Sequence, residues 1–128
     1  MMEKRAVNQK GALEVKRPYS PAIVYGDMVF LSGQIPQNPA TGDLIRGDLR
    51  EQTRAVLDNV ARLLEAAGSD MAHVLKVTVF LADMDDYAAF NEVYKDYFKD
   101  VPPARSCVQA GRLPFDVKVE IEAIATKA

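Results

Sequence analysis

Arg105, Cys107 and Glu120 are the residues of this chain whose types and spacing could do chemistry on a small molecule. A guanidinium is planar, and its fork makes two parallel charge-assisted hydrogen bonds to a carboxylate, which a lysine ammonium cannot do. A glutamate nearby can aim or activate a water. Suppose the last two expected strands, Arg105 to Ala110 and Val117 to Ala125, pair antiparallel across GRLPFD. Cys107 then lies opposite Glu120 and Arg105 opposite Glu122, and Arg105, Cys107 and Glu120 share one face. The same spacing has a plainer meaning, a cross-strand ion pair contributing ~0.2–1 kcal/mol to the sheet. Spacing alone favours that plainer meaning, because structural ion pairs outnumber catalytic ones.

Other polar residues carry similar alternatives. Tyr19 beside Pro18 reads as a rigid turn aromatic, and Ser32-Gly33 as a strand-to-loop transition where glycine permits close backbone approach. Asn91 is more pointed, since it falls in an apolar helical arc between Tyr87 and Tyr94, where an amide needs a partner or a ligand. The only cysteine, Cys107, reads as an inert thiol, and the only histidine, His73, as a surface turn residue.

The elements that must position these groups can be read in order. Ala22 to Tyr25 and Met28 to Gly33 form strands around a Gly26-Asp27 hairpin signal. Pro36, Pro39 and Gly42 then make a loop. From Leu49 the apolar positions recur at helical spacing through Ala67, with Asp48 and Glu51 as a capping box and Gly68 as a left-handed stop. Val74 to Ala82 is a strand with Leu75, Val77, Val79 and Leu81 on one face. A second helix carries Tyr87, Phe90, Tyr94, Tyr97 and Phe98 and ends at Pro102-Pro103. These elements predict an α+β fold, a sheet with two helices on one face. Met28, Phe30, Val74, Phe80 and Ile124 are expected on the other face, mixed with charges, which suggests subunit contact.

Composition narrows the classes. With 128 residues, a single domain spanning 1–128 is expected, and 48% apolar with 27% charged residues fits a globular chain. Sixteen basic against eighteen acidic side chains give −2, so no global positive field draws nucleic acid. One cysteine and one histidine offer neither an internal disulfide nor a zinc cluster. The opening MMEKRAVNQK lacks an apolar signal region, and no run reaches membrane-spanning length. A cytoplasmic protein with no metal, cofactor, membrane or nucleic-acid partner is the expectation.

The segment PARSCVQAGRLPFDVKVEIEAIA closely resembles the C-terminal signature of the RidA/YjgF family of enamine and imine deaminases. RPYSPA, FLSGQIP, NPATG and FNEVY resemble further family segments in order, so the resemblance runs from Arg17 onward. Pro21 departs from it, where many relatives carry glutamine. The resemblance implies a chorismate mutase-like mixed sheet assembled as a homotrimer with sites between subunits. It implies that Arg105 binds a substrate carboxylate, that the Cys107 amide helps, that Glu120 positions water, and that Tyr19, Ser32, Gly33 and Asn91 line the pocket. The implied activity is that of a 2-iminobutanoate/2-iminopropanoate deaminase. It hydrolyses small 2-imino or 2-enamino acids such as 2-aminoacrylate to keto acids and ammonia. A small-carboxylate binding or regulatory trimer is the alternative, and an RNA-directed activity is disfavoured by charge.

Overall fold

The structure, a computed structural model, describes residues 2–128. Six strands form one sheet: β1 (Arg5–Val7), β2 (Ala22–Tyr25), β3 (Met28–Gln34), β4 (Val74–Leu81), β5 (Ala104–Gln109) and β6 (Val119–Thr126). Their spatial order is β1-β2-β3-β6-β4-β5. Every pair is antiparallel except β4 and β5, which are parallel. Two helices, α1 (Leu49–Ala66) and α2 (Tyr87–Tyr94), complete the fold, α2 lying on the crossover from β4 to β5. Parallel neighbours need such a crossover, and a helix with one apolar stripe fills it.

The first helix starts and stops where its sequence directs. Asp48 Oδ1 accepts from the Glu51 amide at 2.9 Å, and Gly68 takes φ +83° as the chain leaves the last turn. Its stripe of Val56, Leu57, Val60, Leu63 and Leu64 is fully buried against Val29, Val77, Val79, Val119, Ile121 and Ala125 of the sheet. Burying each such side chain favours the folded state by ~1.5–3 kcal/mol, so this layer holds helix and sheet together.

Buried polar groups on the same helix fasten the irregular segments. Gln52 donates to Gly47 O at 3.0 Å and accepts from the Lys118 amide at 2.8 Å. Asn59 donates to Gln37 O at 2.8 Å and accepts from Arg62 at 2.7 Å. The loop after β3 and the entry to β6 are thus both tied to α1.

Four expectations need correction. The last two strands do not pair as a hairpin: β6 inserts between β3 and β4, and β5 lies beyond β4 at the sheet edge. GRLPFD is therefore a connection that crosses β4, not a tight turn. Arg105 sits beside Val77 and Cys107 beside Val79, whereas Glu120 sits beside Phe80 and Glu122 beside Thr78. Second, the register of β4 against β6 shifts between Val74 and Lys76. Val74 is therefore buried in the core, and Leu75 is exposed instead of joining Val77. Third, the N-terminal residues contribute a strand, β1, that three residues of unremarkable pattern did not announce. Fourth, the strand at the C-terminus begins at Val119, because the chain first turns from Pro114 to Asp116, where the Val117 amide donates to Pro114 O at 3.2 Å.

The face away from the helices carries a cross-strand row of Ile23, Phe30 and Ile124, with Val108 farther along. Phe30 and Val108 remain 41% and 45% exposed. No helix among the described residues is long and apolar enough to cross a membrane.

Candidate active site

Arg105 and Cys107 stand on β5, the sheet edge, and project to the helix side with buried Val77 and Val79. The Arg105 guanidinium lies under the aromatic stripe of α2. Its Cζ is 4.7 Å from the ring centroid of Tyr94, 5.6 Å from that of Tyr87 and 5.7 Å from that of Phe90. Arg105 Nη2 donates to Tyr87 Oη at 3.0 Å. Asn91 lies on the same helix, half-buried, between Phe90 and Tyr94.

The backbone of β5 adds a donor. Ala110 N donates to Leu81 O at 2.9 Å. In a parallel ladder every second residue faces the same neighbour, so the amides of Val108 and Ser106 also face β4. The amides between them, including that of Cys107, point to the open edge. Burial pushes the Cys107 thiol upward, opposed by the Arg105 charge, so the sulfur is held in its protonated form and is a poor nucleophile.

Glu120 belongs to the other side. On β6 it alternates with buried Val119 and Ile121 and so leaves the sheet opposite the helices. Its carboxylate lies against Gly33, where a methyl group would sit 2.0 Å from Oε2. Burial, and then the neighbouring charge of Glu122, raise the Glu120 pKa above the usual carboxylate value. Glu120, Gly33 and the exposed Tyr19 border one cleft of about 550 Å³, together with Arg17, Pro114 and Phe115. Ser32 does not point a free hydroxyl into it: Oγ donates to Ser20 O at 2.7 Å, and the Ser32 amide donates to Pro21 O at 2.9 Å. These bonds fasten the Tyr19 loop to β3.

The floor of the cleft is shaped by strain. Phe115 and Asp116 take φ of 56° and 57°, the left-handed region that costs a non-glycine residue about 1 kcal/mol. Arg46 donates to Phe115 O at 2.7 Å, and Arg112 grips both oxygens of Asp116 at 2.8 and 3.2 Å. Two arginines thus hold a turn that leaves the Phe115 ring 63% exposed beside Glu120's cleft.

The expected site residues therefore divide into two groups. Tyr19, Gly33 and Glu120 gather at the cleft with Ser32 behind them, while Arg105, Cys107 and Asn91 gather at the β5 edge. Arg17 and Phe115 at the cleft were not anticipated, nor was the enclosure of Arg105 by Tyr87, Phe90 and Tyr94, which read as core by helical spacing. The polar Asn91 inside that stripe was the available signal that it served more than packing. His73 is a turn residue as expected, its Nδ1 2.6 Å from Asp70 Oδ1. Among the described residues no three His, Cys, Asp or Glu side chains gather as a metal site.

This architecture is shared with solved proteins. It superposes on the crystal structure of Escherichia coli TdcF with bound serine at a TM-score of 0.88 and 43% identity, over 97% of this chain and 99% of that one. A Thermotoga maritima protein titled as a candidate endoribonuclease superposes at 0.91 with 48% identity, over 97% and 98%. By sequence, a RutC family protein of Pyrococcus horikoshii is 54% identical over 110 residues, 86% of this chain and 87% of that protein. TdcF, named as a candidate reactive intermediate deaminase, is 48% identical over 114 residues, 87% and 88%. The family model described as Endoribonuclease L-PSP matches residues 9–127. The chain belongs to this family, the RidA/YjgF family.

Proposed function

We propose that this protein hydrolyses small 2-imino and 2-enamino acids to 2-keto acids and ammonia, in clefts that form between the chains of a homotrimer. The observation that carries the reading is the division just described. A carboxylate-binding guanidinium with an outward-facing amide, and a half-buried glutamate in a cleft, sit on opposite faces of one sheet. A neighbouring chain that docks the β5 edge against the cleft brings them to one molecule. The uncovered row of Ile23, Phe30 and Ile124 supplies apolar surface for that contact.

At such a site Arg105 and the Cys107 amide hold the substrate carboxylate and place the iminium carbon near Glu120. Glu120 accepts a proton from a water whose oxygen attacks that carbon, and the C=N electron pair moves to nitrogen. The carbinolamine then receives the proton on nitrogen, Glu120 takes the hydroxyl proton as the C–N bond breaks, and the ketone leaves with ammonia, which carries that proton away as ammonium. A raised pKa makes the Glu120 carboxylate a stronger base toward the attacking water. Net hydrolysis needs no oxidant, reductant or covalent intermediate.

The serine in the TdcF crystal is an amino acid carrying the α-carboxylate assigned here to Arg105. The endoribonuclease name is weaker guidance for this chain, whose net charge is −2 and whose single histidine is engaged with Asp70. A coupled assay tests the proposal: a dehydratase generates 2-aminoacrylate, and keto-acid formation is followed with and without this protein. The parent accelerates it and Arg105→Ala does not. An Arg105→Ala variant as fast as the parent contradicts the assignment.

A further inference from the structure

The stripe Tyr87, Phe90 and Tyr94 has the spacing that stacks side chains on one side of a helix. That side meets the Arg105 guanidinium at the three distances given above, the shortest being to Tyr94. An arginine on an edge strand would otherwise sample many rotamers in water. Here the ring face of Tyr94 attracts the cation, and the Tyr87 hydroxyl takes one of its N–H groups. The remaining donors are left for a two-point contact with a carboxylate.

Tyr94 has a second peculiarity. Its residue is 7% exposed, and its hydroxyl is buried without a hydrogen-bond partner among the described residues. Burial pushes this phenol up to about 12, against the pull of Arg105, so the ring stays neutral across the working pH range. A phenylalanine would fill the space without burying an oxygen.

We infer that Tyr87 and Tyr94 are positioning residues for Arg105. The ring of Tyr94 and the hydroxyl of Tyr87 fix the plane of the guanidinium, so that its open edge is presented to the substrate carboxylate. This rests on the reading that Arg105 binds that carboxylate, and it assigns the substrate's acid end to a cation held by aromatic rings. Lysine cannot reproduce it, because an ammonium has no plane to orient.

The test uses the full chain and two readouts, steady-state kinetics on the imine and calorimetric binding of 2-oxobutanoate. Tyr87→Phe and Tyr94→Leu are expected to raise KM and weaken 2-oxobutanoate binding by about three- to tenfold, with kcat changed less. Tyr94→Phe, which keeps the ring, should restore most of what Tyr94→Leu loses. If Tyr94→Leu does not fold, Tyr87→Phe still decides, since Tyr87 is exposed. Parental KM and parental binding in folded Tyr87→Phe and Tyr94→Leu overturn the inference, as does a Tyr94→Phe variant as impaired as Tyr94→Leu. Arg105→Ala, measured alongside, separates the levels. If it loses binding while the tyrosine variants keep it, only the positioning role fails. If it too binds like the parent, the carboxylate assignment fails and the positioning role with it.

Discussion

Arg105 and Glu120 lie on strands separated by β4, and their side chains leave the sheet on opposite faces. Two strand spacings across the sheet, and three residues along it from Val77 to Phe80, put their backbones roughly 14 Å apart before the side chains diverge. No rotamer change in a single chain brings both to one three-carbon acid. On the proposed reading, the two act on one substrate across a contact between chains.

Glycine at position 33 is expected to matter for activity more than for folding. Its Cβ would overlap the Glu120 carboxylate, the far end of a flexible side chain that can swing away. Gly33→Ala should therefore unfold in urea within ~0.5 kcal/mol of the parent. Its kcat should fall by roughly tenfold to a hundredfold, as misplacing a reacting group by about 1 Å does. Parental turnover in this variant would place the working carboxylate elsewhere.

The acid limb of activity should respond to Glu122. Burial and the Glu122 charge hold the Glu120 pKa above its ordinary value. A base works ionised, so kcat/KM falls as pH drops through that raised pKa. Glu122→Gln removes one cause and should move the limb to lower pH. An unmoved limb, or one moved upward, contradicts the role of Glu120 as the base.

Stability carries the opposite sign at the same residue. A carboxyl whose folded pKa lies above its unfolded value loses stability as it ionises. That penalty is absent below the unfolded pKa and complete above the folded one. Glu120→Gln should thus be at least as stable as the parent at neutral pH, and the difference should vanish in acid. Urea titrations at several pH values show this, and a variant less stable at neutral pH than in acid relative to its parent refutes it.

Much of the fold was legible because period and punctuation agreed. The helix from Leu49 was marked by its spacing, by Asp48 at one end and Gly68 at the other, and the Gly26-Asp27 turn fixed the first hairpin. The pairing of the last two strands was not legible. Short strands of alternating pattern do not state their neighbours, and the six residues of GRLPFD serve a crossing as well as a hairpin. The bulge beside Leu75 was hidden for the same reason, since a register shift belongs to the pair of strands and not to either sequence. The site followed suit: the residue types at 105, 107 and 120 suited a cross-strand ion pair as well as a carboxylate binder and a base, the resemblance alone separated the two meanings, and which faces the residues occupy depended on strand order.

Gln52 offers a check on how α1 holds the entry to β6. Its amide satisfies Gly47 O and the Lys118 amide from a site that is 3% exposed. Gln52→Ala leaves both part-buried groups without these partners and should cost about 1 kcal/mol, read from the urea midpoint at unchanged slope. A change below about 0.5 kcal/mol would show that water replaces both bonds without penalty.

The proposal of a site shared between chains is tested most directly by mixing two disabled proteins. Arg105→Ala and Glu120→Gln are each expected to be inactive, because every site lacks one of its halves. When chains are exchanged at equal amounts, a site is whole if one chain brings Arg105 and its neighbour brings Glu120, which holds for roughly a quarter of the sites in a randomly mixed trimer. Recovery of imine hydrolysis to about that fraction of the parental rate is the predicted result. A mixture that stays as inactive as its components, while mass spectrometry shows the chains have exchanged, would contradict it.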